Sequence, residues 1–115
     1  MLIDWLRIES LVDMNDPEDR AWLKEMITSL LENMATRIEN LNRLLVSKEP
    51  KDLQAELHQI KGVAANFGLA ALSEVVVKAE GFAKTGEIES SVEEGKKIAA
   101  IWESTRQELE KKFST

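Results

Sequence analysis

The sequence predicts an all-α protein: an antiparallel, up-down four-helix bundle with a short extra helix at its N-terminus. Three observations carry this. Apolar residues recur every three or four positions along most of the chain, which is the period of one helix face. Only 5 glycines and 2 prolines stand in 115 residues, so little interrupts helix formation. No run alternates apolar and polar residues for long enough to make a strand. A chain of 115 residues is enough for one domain with its own core and too short for two, so residues 1–115 read as a single unit.

The elements follow in order. Residues from about 2 to 12 read as a short helix presenting Leu2, Trp5, Leu6 and Ile8. Asp16-Pro17-Glu18-Asp19 is a helix start, with Asp16 as cap, proline at the first helical position and acids in the first turn. From about residue 17 to 46 one stripe runs through Trp22, Met26, Leu30, Met34 (or Ala35), Ile38, Leu41 and Leu45. Lys48-Glu49-Pro50-Lys51 breaks that pattern and starts a second bundle helix, about 50–67. Gly68 interrupts, and a third runs over about 69–84 with the stripe Leu69, Leu72, Val76, Ala79 and Ala83. Thr85-Gly86-Glu87 is a turn. Ser90 or Ser91, with Glu93 or Glu94 three residues on, then forms a capping box for a fourth helix over about 90–113, carrying Val92, Ile98, Ile101, Trp102, Leu109 and Phe113. Breaks at Pro50, Gly68 and Gly86 leave no heptad run long enough for a coiled coil.

Composition excludes several function classes. There is no cysteine, so disulfides, thiolate metal sites and cysteine nucleophiles are absent. A net charge of −6 argues against a nucleic-acid binder, which needs a basic face for phosphates. No basic leader precedes an apolar run at the N-terminus, and no apolar run approaches a membrane span, so a cytoplasmic protein is expected. One histidine and no glycine-rich phosphate loop leave little material for an independent enzyme. No metal site is expected.

That one histidine, His58, lies in LHQIKGVAANFGLAAL, residues 57–72. On a wheel of about 100° per residue, Leu53, Leu57, Ile60, Ala64 and Phe67 share an arc opposite His58, with Val63 at its edge. The arc is the core face, so His58 points to solvent. Its neighbours on the wheel are Lys51, Gln54, Ala55, Lys61, Gly62 and Ala65. A lone surface histidine is usually an ordinary solvated residue; the company here argues otherwise. Gly62 costs about 1 kcal/mol against alanine in a helix interior, yet it stands one turn from the imidazole and removes bulk beside it. Lys61 adds a cation on the other flank. A histidine with a cleared approach and a nearby cation suits a phosphoryl group. On the third bundle helix Glu80 sits about 60° from the centre of the apolar stripe, flanking the inward face. Antiparallel packing would bring it level with His58. Two roles stay open: it accepts a hydrogen bond from Nδ1 and fixes Nε2 as the nucleophile, or it is a rim acid, solvated or paired with Lys61.

These residues resemble the histidine-containing phosphotransfer (HPt) family of two-component phosphorelays. The family pattern is a histidine, one variable residue, an aliphatic, Lys-Gly, and a glycine ten positions after the histidine; here those are His58, Gln59, Ile60, Lys61, Gly62 and Gly68. Leu72 and Glu80 continue it, and the acidic Asp-Pro-Glu before a long apolar helix is similar as well. The likeness covers nearly the whole chain, its specific part the middle third. The resemblance implies that His58 is the phosphoacceptor, Lys61 stabilises the phosphoryl oxygens, and Glu80 orients the imidazole. It implies that Gly62, with Gln54, Ala55 and Ala65, forms the partner-facing surface, and that Gly68 ends the histidine-bearing helix. Val63 departs from the pattern, where a small residue is usual; its place at the core edge makes this a packing difference.

The function implied is that of a stoichiometric phosphocarrier, not an enzyme in its own right. It takes a phosphoryl group from an aspartyl phosphate of a hybrid kinase's receiver domain and passes it to a response regulator. No cofactor is expected on this chain, Mg²⁺ belonging to the partner receiver domain. With no kinase, receiver or sensor segment in the sequence, a free-standing monomer is expected. The alternative is a helical adaptor that docks receiver domains or other helical partners without chemistry.

Overall fold

A computed structural model of the chain describes residues 1–113; the last two positions of the expected 1–115 domain lie outside the described residues. Among the described residues six helices follow one another: α1 (Trp5–Glu9), α2 (Pro17–Ser47), α3 (Pro50–Asn66), α4 (Ala70–Lys84), α5 (Ile88–Gly95) and α6 (Ile98–Phe113). α2, α3 and α4 with the α5–α6 pair form the antiparallel four-helix bundle, and α1 closes one end. α2 has 31 residues, which at 1.5 Å per residue is about 46 Å. That matches the long dimension of the molecule, 47 × 20 × 20 Å, so α2 is the spine against which the shorter helices pack.

Start and stop signals work as their chemistry requires. Asp16 accepts a hydrogen bond from the Glu18 amide at 2.9 Å, with Pro17 opening α2. α3 ends in a Schellman turn: the Leu69 amide donates to the Ala64 carbonyl at 2.9 Å and the Gly68 amide to the Ala65 carbonyl at 3.4 Å. Gly68 takes φ +63° to make it. A Cβ there would lie 2.8 Å from the Asp4 carbonyl oxygen and 2.8 Å from the Arg7 Cβ. Only glycine therefore fits the turn beneath α1.

The core is drawn from all the helices. Leu23, Ile27, Leu30, Met34 and Leu41 of α2 meet Leu53, Leu57, Ile60 and Ala64 of α3, Leu72, Val76 and Ala79 of α4, and Ile98, Trp102 and Leu109 of α6. The expected stripe of α2 is corrected in its first turns. Leu23 and Ile27 are buried, Trp22 is 51% exposed, and Met26 and Ile38 are partly buried. Two adjacent apolar rows, Trp22–Met26 and Leu23–Ile27, share one period, and packing against α3 and α6 selects the second.

The first and last expected helices also differ from the sequence reading. The first helix covers 5–9 and not 2–12, because residues 2–4 pair with the α3–α4 turn. The Asp4 amide donates to the Gly68 carbonyl at 2.7 Å, and the Leu2 carbonyl accepts from the Ala71 amide at 3.4 Å. The expected helix over 90–113 is two helices. The Lys97 amide tightens onto the Glu94 carbonyl at 3.1 Å, just after Gly95, where the chain passes so close to Leu45 that a Cβ would lie 2.7 Å from its Cδ2. The capping box at Ser90 or Ser91 does not form. Glu87 stands at the N-cap of α5, and Ser91 is buried inside it, its Oγ donating to the Ala79 carbonyl of α4 at 2.7 Å.

Candidate functional site

The α3–α4 hairpin determines what can meet. His58 lies ten residues before Gly68 and Glu80 twelve after it. At 1.5 Å per residue the two stand about 15 and 18 Å from the turn, on antiparallel helices and so at nearly one level. The core-facing Leu57, Ile60 and Ala64 of α3 are fully buried, which turns His58 outward; its side chain is 63% exposed. Glu80 is the opposite case. It sits between buried Val76, Ala79 and Ala83, and its carboxylate is only 2% exposed.

A buried carboxylate needs partners, and Glu80 has three cationic or titratable groups around it. Lys61 Nζ donates to Oε1 at 2.7 Å. Lys84 Nζ, one turn along α4, lies 2.8 Å from the same oxygen. His58 Nδ1 stands 3.3 Å from Oε2. That approach lacks the alignment of a hydrogen bond, and Oε2 has no hydrogen-bond partner. Burial pushes the Glu80 carboxyl up. The hydrogen bonds from Lys61 and Lys84, with their charges, outweigh burial and hold it below the ordinary carboxylate value. Glu80 is therefore an anion beneath the imidazole.

Of the contacts expected for Glu80, the structure holds the ion pair with Lys61 and a close approach to His58 Nδ1 without a hydrogen bond. Glu80 is not solvated. Lys61 is 31% exposed, within reach of both the buried acid and the solvent side of α3.

Beside the imidazole, Ala55, Gly62 and Ala65 are exposed and Gln54 is half-buried. Spacings of three and four put them on the His58 face of α3. A Cβ at Gly62 would meet nothing within 4 Å, so no packing in this chain calls for glycine there. Val63 is half-buried against the core.

The sequence reading missed Lys84. Its signal was available: a cation four residues after Glu80 on one helix is a favourable pair. It also missed buried Glu56, whose Oε2 accepts from Arg37 Nη1 of α2 at 3.0 Å. Among the described residues no three His, Asp or Glu side chains gather as a metal site requires. No described helix is long and apolar enough to cross a membrane.

The chain is similar to known proteins. It is 27% identical over 81 residues to multistep phosphorelay regulator 1 of Schizosaccharomyces pombe. The shared stretch is 70% of this chain and 28% of that relative, so the chain spans less than a third of the relative's length. Residues 25–110 match the Hpt domain family, a stretch that holds His58, Lys61, Gly62, Gly68 and Glu80. With that much of its length and its whole candidate site inside the match, the chain belongs to the Hpt domain family.

Proposed function

We propose that this chain carries a phosphoryl group on Nε2 of His58, received from an aspartyl phosphate of one receiver domain and passed to another. The observation that carries the reading is an exposed imidazole whose Nδ1 faces a buried anion. Glu80 favours the proton on Nδ1 and leaves Nε2, across the ring, with its lone pair. That lone pair attacks phosphorus, and the bond to the donor's carboxylate oxygen breaks, its electrons staying on the aspartate. The imidazole keeps its Nδ1 proton and becomes a phosphorylated imidazolium, whose positive charge Glu80 offsets. No proton enters or leaves, and the reverse step returns the group to a second aspartate.

Lys61 neutralises phosphoryl oxygens as they approach. Gln54 with the small residues Ala55, Gly62 and Ala65 forms the floor on which the receiver sits. Gly68 serves the same end at a distance, by fixing the turn that sets α4 level with His58. The receiver supplies Mg²⁺ and most of the catalysis; this chain is a reactant that emerges unchanged from a full cycle. An open reactive face fits a monomer.

The test is transfer from a ³²P-labelled receiver domain to wild type and to His58→Gln. Acid-labile label on the wild type alone is expected, with the helical circular dichroism signal equal in both. Label on His58→Gln would place the acceptor elsewhere. Receiver binding with no label on either protein would make the chain a docking adaptor.

A further inference from the structure

Lys61 is asked to do two things. In the structure its ammonium is on Glu80, while phosphoryl transfer needs it on the incoming oxygens. Moving it would strip a 2%-exposed carboxylate of a counter-charge, a costly change for a buried ion. Lys84 removes that difficulty. It lies 2.8 Å from the same Oε1, approaching from α4 and not from α3, and is itself 52% exposed. Resting on the phosphocarrier reading above, we infer that Lys84 is a positioning residue that holds Glu80 as an ion while Lys61 crosses from Glu80 to the phosphoryl group.

The geometry fits such a handover. Both ammonium groups converge on Oε1, so one can leave without the carboxylate turning. Oε2 then keeps its place 3.3 Å from Nδ1, where the positive charge of the phosphorylated ring appears. The charges also balance. Phosphorylation places a dianionic group and a cationic ring beside one carboxylate, and the two lysines bring the local sum back to zero. Lys84 touches no reacting atom. It acts through Glu80, and the effect of losing it depends on whether residue 80 carries a charge.

That dependence is the test. The full chain is phosphorylated with phosphoramidate, a small-molecule donor, and phosphohistidine occupancy is read by ³¹P NMR. Wild type is compared with Lys84→Gln, Lys84→Arg, Glu80→Gln and the double variant Glu80→Gln/Lys84→Gln. Lys84→Gln is expected to lower occupancy roughly fivefold, equivalent to about 1 kcal/mol. Lys84→Arg should restore it, since the charge and a donor return. In the Glu80→Gln background the Lys84→Gln change should cost nothing further, because a neutral amide needs no second counter-ion. Circular dichroism on each variant confirms the fold. Wild-type occupancy in Lys84→Gln overturns the proposal. An equal loss in both backgrounds also overturns it, since Lys84 would then act only through net charge. A wild type that takes no phosphate from phosphoramidate or from the receivers removes the phosphocarrier reading itself.

Discussion

Replacing Gly62 with alanine should make the protein more stable and a poorer phosphate acceptor from receivers. The stability half follows from the structure. Gly62 lies inside α3, and a Cβ there meets nothing within 4 Å. No clash opposes the change and no new contact aids it. What remains is helix propensity, about 1 kcal/mol in favour of alanine, part of it from the unfolded chain's lost freedom. Unfolding free energy should therefore rise by about 0.5–1 kcal/mol, with Tm up by roughly 2–5 °C in a domain of this size. Urea unfolding followed by circular dichroism measures it. The functional half follows from the same open space: a receiver loop that approaches His58 over Gly62 meets the added methyl. Transfer from a labelled receiver should slow, and Gly62→Gln, with its longer side chain, should slow it further. A stability loss on Gly62→Ala would refute the packing argument. Wild-type transfer in both variants would refute the approach over this face.

Three more outcomes are expected. Gly68→Ala forces a Cβ into φ +63°, 2.8 Å from the Asp4 carbonyl. It should cost about 2–3 kcal/mol from strain and the disturbed Asp4 amide bond, measured by denaturant midpoint. Ser91→Ala removes the buried bond to the Ala79 carbonyl and leaves that acceptor with one partner fewer. A loss of about 1–2 kcal/mol is expected in the same assay, and a change under half of that would mean water replaces the hydroxyl. The third concerns acid. The folded carboxyl of Glu80 is held below its ordinary value, so its contribution to stability is present above the unfolded value, about 4.3, and is lost as pH falls through the lower, folded one. Glu80→Gln should flatten the acid limb of the stability–pH curve below about pH 4.3; an unchanged limb would show that other carboxylates set it.

What the sequence determined by itself is the periodic and the local. The apolar stripes Leu53–Leu57–Ile60–Ala64 of α3 and Leu72–Val76–Ala79–Ala83 of α4 name their own buried faces, because in each the stripe of helical period is the row that packs inward. His58 is outward-facing by the same arithmetic, and Asp16-Pro17 and Gly68 mark ends whose cap chemistry is short-range. Tertiary structure decided wherever two solutions shared one period or where a partner came from a distant segment. α2 offered two neighbouring rows, and packing buried Leu23 and Ile27 while leaving Trp22 outside. Residues 2–4 gave up helix to pair with the Gly68 turn, a contact across more than sixty positions. Ser91, a reasonable cap by sequence, became a buried tie to α4 once the α4–α5 hairpin closed. Glu80 shows the division most sharply. Its spacing placed it near the inward face, but only the crossing of α3 and α4 set how deeply it sits and which cations surround it. Two lysines, one from each helix, outweigh the cost of burial and keep this acid an anion under the imidazole, and no property of one helix alone contains that.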